Sequence, residues 1–192
     1  MPAQIILASS SPRRSELLDQ LNIRHSVHAF AIDETPCLHE PPLAYVQRMA
    51  AEKSLACQQR LQTALPILAA DTTVVQGGLI MGNPGDQAEA LAMLARLSGT
   101  SHHVYTAVSL RGQDHGLAVS ITEVIFKSLS QADMLAYWQT GEPVGKAGAY
   151  AIQGRAAQFV VSINGSYSGV VGLPLYETAA LLTQQGISPL HE

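Results

Sequence analysis

Gln4-Ile5-Ile6-Leu7-Ala8-Ser9-Ser10-Ser11-Pro12-Arg13-Arg14 sets a short apolar run against three hydroxyls, a proline and two guanidiniums. Residues 4–8 are too few for a helix and read as a buried strand. Pro12 presets φ for a helix's first turn, where its missing N–H costs nothing. Leu17, Leu18 and Leu21 then fall on one face of a short helix from Arg13 to Leu21. Such a strand–loop–helix unit points hydroxyls and main-chain N–H groups out of the positive end of a helix, and two arginines add charge-assisted contacts. An anion fits there, phosphate first of all. An ordinary helix cap with solvated arginines fits the same six residues, and the motif alone does not choose between the two.

The second informative stretch is Pro66-Ile67-Leu68-Ala69-Ala70-Asp71-Thr72-Thr73-Val74-Val75. Its continuous apolar run predicts a central strand that ends on a carboxylate, Asp71, followed by two hydroxyls. Ligands of open α/β sheets gather beyond the carboxyl ends of strands, although an isolated Asp can also cap a turn. Ahead of it, Ile23 to Phe30 reads as a strand leading into the acidic loop Ala31–Pro36. A long helix then runs from Pro42 to about Leu61, with Val46, Met49, Ala50 and Cys57 on its apolar stripe. Lys53 lies four residues from both Met49 and Cys57, so it shares that stripe. An inward lysine needs a partner, and an anion is the natural one; a stem that snorkels out along the stripe's edge is the other reading.

Beyond the central strand, Gly77-Gly78 predicts a hairpin. Asp86 caps a helix that places Ala88, Leu91, Ala92 and Ala95 on one face and ends at Gly99. His102–Leu110 and Leu117–Leu129 read as paired strands, Ser130–Gln139 as a helix and Phe159–Ile163 as a strand closed by the Asn164-Gly165 turn. A last helix follows Pro174 and runs through Leu182. Strands and helices mix along the chain, with hairpins in its second half, so the expected fold is α/β with a mixed sheet.

Bulk properties narrow the function classes. The chain has 192 residues, 47% hydrophobic and 14% charged, with a net charge of −4. That suits one compact domain, residues 1–192, built as two lobes with no repeat or linker. The acidic balance argues against long nucleic acid, and 5% aromatic content argues against a base-stacking RNA module. Cys37 and Cys57 read as free thiols of a reducing compartment. No apolar run approaches the ~20 residues of a membrane span, so the expectation is a cytoplasmic protein without a membrane partner. Gly141 to Ala147 reads G-x-x-x-G-K-A, one residue short of a Walker loop and lacking its hydroxyl ligand. No G-x-S-x-G elbow occurs, and the seven histidines show no zinc spacing. What remains is two carboxylates, Glu34 and Asp71, and four cations, Arg13, Arg14, Lys53 and Lys146. Carboxylates that hold Mg²⁺ or Mn²⁺ and activate water, with cations that neutralise phosphates, suit attack on a phosphoryl group.

Six collinear motifs carry a resemblance. They are Leu7-Ala8-Ser9-Ser10-Ser11-Pro12-Arg13-Arg14, Ile32-Asp33-Glu34, Glu52-Lys53, Ala70-Asp71-Thr72, Lys146 to Gly154, and Asn164-Gly165-Ser166-Tyr167 with Val170 to Pro174. In order and spacing the chain resembles the Maf family of nucleoside triphosphate pyrophosphatases, from Ile5 into the final helix. The resemblance implies a Maf/inosine-triphosphatase-like fold, an elongated mixed sheet flanked by helices with two lobes around a cleft. It implies hydrolysis of a nucleoside triphosphate to monophosphate and pyrophosphate with a divalent cation, Mg²⁺ or Mn²⁺. Asp71 matches the family's proton acceptor, Glu34 and Asp71 its metal carboxylates, and Ser9, Arg14 and Lys53 its phosphate site. Arg13, Thr72 and Gln153 stand where the 7-methyl-GTP branch carries tryptophan, glutamine and glutamate, and they resemble the branch acting on dTTP and UTP. Uncharged uracil and thymine, with two carbonyls and one N–H, suit those three side chains. The family's older association with septum formation supplies a second expectation, a nucleotide-binding regulator of cell division with little turnover. The resemblance leaves room for a homodimer. One departure stands out: Asn83 precedes Pro84 where the family usually has lysine, so activity is expected to persist with altered affinity.

Overall fold

A computed structural model of the chain describes residues 2–190; Met1, His191 and Glu192 lie outside it, as do the ends of the expected 1–192 domain. One seven-stranded mixed sheet runs in the order β2 (His25–Val27), β1 (Ile5–Leu7), β3 (Ile67–Gln76), β5 (Ser101–Arg111), β6 (His115–Phe126) and β7 (Val160–Asn164). The short β4 (Leu79–Met81) pairs with the far end of β3. β2, β1 and β3 are parallel, and every pairing from β3 onward is antiparallel.

The site owes its place to a gap in this sheet. β1 pairs with β3 only through Ile6↔Ile67 and Leu7↔Leu68, and the Ala8 N–H gives a last bond of 2.7 Å to the Leu68 carbonyl. β4 takes up the same edge only at Val74 to Gln76. Between those points Ala69 to Thr73 have a strand neighbour on one side alone, β5. A ligand at that edge can therefore meet side chains from both faces of β3, which alternate along the strand.

Helix α2 (Pro42–Leu61) covers one face, where Cys57 packs on Ile6, Ala8, Ile67 and Ala69, and Val46 and Ala50 on Ala107. The opposite face is the main core. Ile5, Leu7, Leu68, Ala70, Val108 and Leu110 meet Leu17 and Leu18 of α1 (Pro12–Gln20) and Leu181 and Leu182 of α6 (Leu175–Gln184). Covered on both faces, β1 and β3 explain why their sequences are continuous apolar runs rather than alternating ones. Helix α4 (Gln131–Gln139) starts at a full capping box between Ser130 and Asp133.

Four local expectations are corrected. In α3 (Gln87–Leu97) the buried stripe is Ala90, Leu94 and Leu97, not Ala88, Leu91, Ala92 and Ala95. The helix is alanine-rich all round, and the larger leucines decide which stripe turns inward. The Ile23–Phe30 strand shrinks to His25–Val27, because β1 ends and the His28 N–H makes the last bond to Leu7. Strand β3 does not end at Asp71: it runs on to Gln76, so the carboxylate sits mid-strand, because β5 pairs with the strand through Asp71 and beyond. A short helix, α5 (Tyr167–Val171), for which the sequence predicts no element, follows the Asn164-Gly165 turn, with Ser166 capping it through the Gly169 N–H.

Candidate active site

A cleft of about 890 Å³ opens at the gap in the sheet edge. Its walls are the Ser9–Arg14 loop, the acidic loop before α2, the exposed edge of β3, the turn at Gly82-Asn83 and the loop from Gly145 to Gln153. Ser9, Arg13, Arg14, Glu34, Lys53, Asp71, Thr72 and Gln153 all line it, so every expected site residue reaches one cavity. Lys146 and Asn83 line it too.

The acidic centre is built around Lys53. Its ammonium lies 2.7 Å from Asp71 Oδ1 and 2.9 Å from Glu34 Oε1. The lysine stands on the inward stripe of α2 as its spacing requires, and it meets the strand residue that breaks the apolar run. Glu34 is half-exposed and Asp71 buried. Tyr45 donates its hydroxyl to the Glu34 carbonyl at 3.0 Å. Burial, then the charges of Asp71 and Glu34, push its phenol up to about 12, so it remains a neutral donor.

A divalent cation suits this donor set. Asp71 and Glu34 flank the Lys53 ammonium, and both carry hard oxygen ligands. Thr73, two residues beyond Asp71 and so on the same face of β3, also lines the cleft, and its buried Oγ1 has no hydrogen-bond partner among the described residues. No group of three or more His, Cys, Asp or Glu side chains surrounds a metal position among those residues. Among the described residues that line the cleft, Glu34 and Asp71 are the carboxylates such a cation would meet.

The two arginines part company. Arg14 sends Nε to the Gly172 carbonyl at 2.8 Å, one terminal nitrogen to Ser9 Oγ at 3.0 Å and the other to Thr72 Oγ1 at 3.3 Å. Thr72 Oγ1 is in turn 3.0 Å from Thr106 Oγ1, which lies 2.8 Å from the Gly169 carbonyl. Burial lowers the Arg14 pKa, with Asp71 opposing and the neighbouring Arg13 adding to the fall. Arg14 is therefore fixed in orientation beside the acidic centre. Arg13 lines the cleft with no hydrogen bond or ion pair among the described residues. Lys146 lies on the opposite loop, its ammonium 3.1 Å from the Val144 carbonyl, and burial followed by Arg13's charge lowers its pKa.

Sequence reasoning passed over Tyr45, Thr73 and Tyr150 as cleft residues. The first two carried a signal. Tyr45 precedes Met49 by four residues on the stripe that exposed Lys53, and Thr73 shares Asp71's face by strand alternation. Tyr150 carried none, because its loop has no period.

Comparisons with known proteins bear on the family and the fold. Residues 4–185 match the family described as Maf-like protein. A dTTP/UTP pyrophosphatase of Myxococcus xanthus (strain DK1622) is 51% identical over 95% of this chain and 93% of its own. Proteins of the same name from Nitrosomonas europaea and Cupriavidus metallidurans are 50% and 49% identical, covering 96% and 97% of this chain and 95% and 99% of their own. Among solved structures, the Staphylococcus aureus Ham1 protein superposes with a TM-score of 0.54 at 13% identity, over 94% of this chain and 98% of that one. That likeness speaks to the fold alone.

Proposed function

The chain belongs to the Maf family, and on that premise we propose that it hydrolyses dTTP and UTP to the monophosphate and pyrophosphate. The observation that carries the reading is the identity of about half the residues with dTTP/UTP pyrophosphatases across nearly the whole chain. The convergence of the expected side chains on one cleft supports it. The relatives named above are pyrophosphatases, which puts the enzyme reading ahead of a regulator of division.

In the proposed reaction a water oxygen attacks the α-phosphorus. The bond from that phosphorus to the bridging oxygen breaks, and pyrophosphate leaves with the bonding electron pair. Asp71 takes the water's proton, and Lys53, 2.7 Å away, holds the carboxylate in place for it. Ser9, Arg14 and Lys53 bind the phosphates, Arg14 with its plane set in advance by Gly172 and Thr72. Preset donors stabilise developing charge without reorganising during the reaction. Glu34 and Asp71 would hold the Mg²⁺ or Mn²⁺, which when bound supplies charge neutralisation for the triphosphate and its leaving group. Arg13, Thr72 and Gln153 select the base, Thr72 through a hydroxyl already held by Arg14 and Thr106. Lys146, beside Arg13's charge, adds a donor to the same wall.

Among the described residues no helix is long and apolar enough to cross a membrane. We take the protein to be a single domain of two lobes, cytoplasmic, acting on a free nucleotide rather than on nucleic acid, and able to pair as a homodimer. A hydrolysis panel of nucleoside triphosphates with Mg²⁺ or Mn²⁺ tests the reading. dTTP and UTP should be turned over fastest and 7-methyl-GTP poorly; preference for the methylated purine, or tight nucleotide binding with no turnover, would overturn it.

A further inference from the structure

Two side chains outside the cleft wall grip the loop that carries Gln153 from both of its ends. The Glu142 carboxylate accepts the Arg155 N–H at 2.9 Å, the Ala156 N–H at 3.4 Å and the Tyr137 hydroxyl at 2.8 Å. The Tyr137 oxygen also accepts the Ala151 N–H at 3.2 Å. Gln153 lies midway between Ala151 and Arg155, so the backbone on each side of it is fastened to one carboxylate–phenol pair. Gly154 completes the arrangement: a Cβ there would come within 2.4 Å of Glu142 Oε1, so only glycine lets the loop approach the carboxylate so closely. The anchor is rigid on its far side as well. Tyr137 is 3% exposed, and its ring meets Phe159 edge-on at 5.1 Å.

Charge keeps the pair in the right protonation states. Burial raises the Glu142 carboxyl, but the N–H groups of Arg155 and Ala156 and the Tyr137 hydroxyl outweigh it, and its pKa falls below the usual range. Burial and the hydroxyl's bond to Glu142 push the Tyr137 phenol well above its ordinary value. One group is thus an anion that accepts, the other a neutral phenol that donates to it.

We propose that Glu142 and Tyr137 are positioning residues that fix Gln153 and so set the base selectivity of the nucleotide site. The inference rests on the reading above that Gln153 faces the base. A glutamine amide offers a carbonyl on one side and an NH₂ on the other. It tells the N3–H and O4 of uracil from the N3 and N4–H₂ of cytosine only while its position is held. A loosened loop lets the amide shift or turn, and the reversed pattern then fits as well. Asp71 lies on β3, away from this anchor, so the chemical step is not the part that suffers first.

The test uses the full chain with Tyr137→Phe, which removes one hydroxyl and keeps the ring, and Glu142→Gln, which keeps the shape. kcat and KM are measured for UTP and CTP, and affinities for UMP and CMP by calorimetry. Each variant should raise KM for UTP roughly tenfold, leave kcat within about threefold, and reduce the preference for UTP over CTP roughly tenfold. In a Gln153→Ala background, Tyr137→Phe should produce no further loss of preference, since coupled residues are not additive. A general structural defect would instead add its effect in both backgrounds. Unchanged KM and preference in both variants, or full additivity with Gln153→Ala, would overturn the inference while leaving the activity in place. Were the wild-type chain to bind UMP without hydrolysing UTP, the activity would fall and the UMP/CMP affinity ratios would decide the positioning role. An absence of UMP binding would remove both.

Discussion

Acidification should weaken this protein through one histidine in particular, His102. It is 1% exposed, on the inward face of β5, with Phe126 edge-on at 4.9 Å. One ring nitrogen, Nε2, lies 2.8 Å from the Tyr150 hydroxyl, and the other, Nδ1, has no partner among the described residues. A second proton would create an N–H aimed at nothing in a place water does not reach. Burial, with a smaller push from His103, lowers its pKa to about 4. The unfolded chain binds that proton near pH 6.5, so below that value the unfolded state holds more protons and stability falls with pH. The loss accumulates between about 6.5 and 4, at about 1.4 kcal/mol per unit, and totals about 3 kcal/mol. For a chain of this size that lowers Tm by about 6–12 °C. The assay is urea unfolding at a series of pH values for the wild-type protein and for His102→Gln, whose amide keeps a bond to Tyr150 but does not titrate. Other groups contribute equally to both curves, so the difference between them isolates His102. Two curves separated by a constant amount from pH 7 to pH 4 would refute the reasoning.

Three further outcomes follow from the cleft. Asp71→Asn keeps an acceptor for Lys53 but loses the base, so kcat should fall by about 10²- to 10⁴-fold with circular dichroism unchanged; wild-type turnover would remove Asp71 from its proposed role. Gly148→Ala forces a side chain onto a backbone at φ +67° with its Cβ 2.9 Å from Val74, and should cost about 2–4 kcal/mol in strain and overpacking. Chemical denaturation measures that cost, and a value below about 1 kcal/mol would contradict the close approach of this loop to β3. Asn83→Lys puts a cation back on the cleft wall and should lower KM for UTP several-fold with steeper salt dependence; an unchanged KM would show that this wall does not meet phosphate.

Much of the architecture was legible because it rests on patterns that survive without tertiary context. The apolar runs of β1 and β3 and the break at Gly77-Gly78 place the central strands, although the carboxylate expected to end β3 lies in its middle. The four-residue spacing of Met49, Lys53 and Cys57 turns the lysine inward, and the structure supplies both of its partners. What stayed hidden depended on packing between distant segments. The inward stripe of α3 is chosen by what its leucines meet, and an alanine-rich helix offers two candidates. The gap between β1 and β4 where the cleft opens follows from how far each strand runs along β3, which no local pattern encodes. The Glu142–Tyr137 anchor is in the same class, since its partners are backbone N–H groups that any residue could present. Arg14's fixed plane likewise depends on the Gly172 carbonyl, 158 positions away in the chain.

Hydrolysis of UTP in ¹⁸O-enriched water, followed by ³¹P spectroscopy of the products, tests the central claim most directly. Attack at the α-phosphorus by water deprotonated at Asp71 predicts UMP carrying one ¹⁸O, unlabelled pyrophosphate and no inorganic phosphate. Label in pyrophosphate, or UDP appearing with labelled phosphate, would contradict the account.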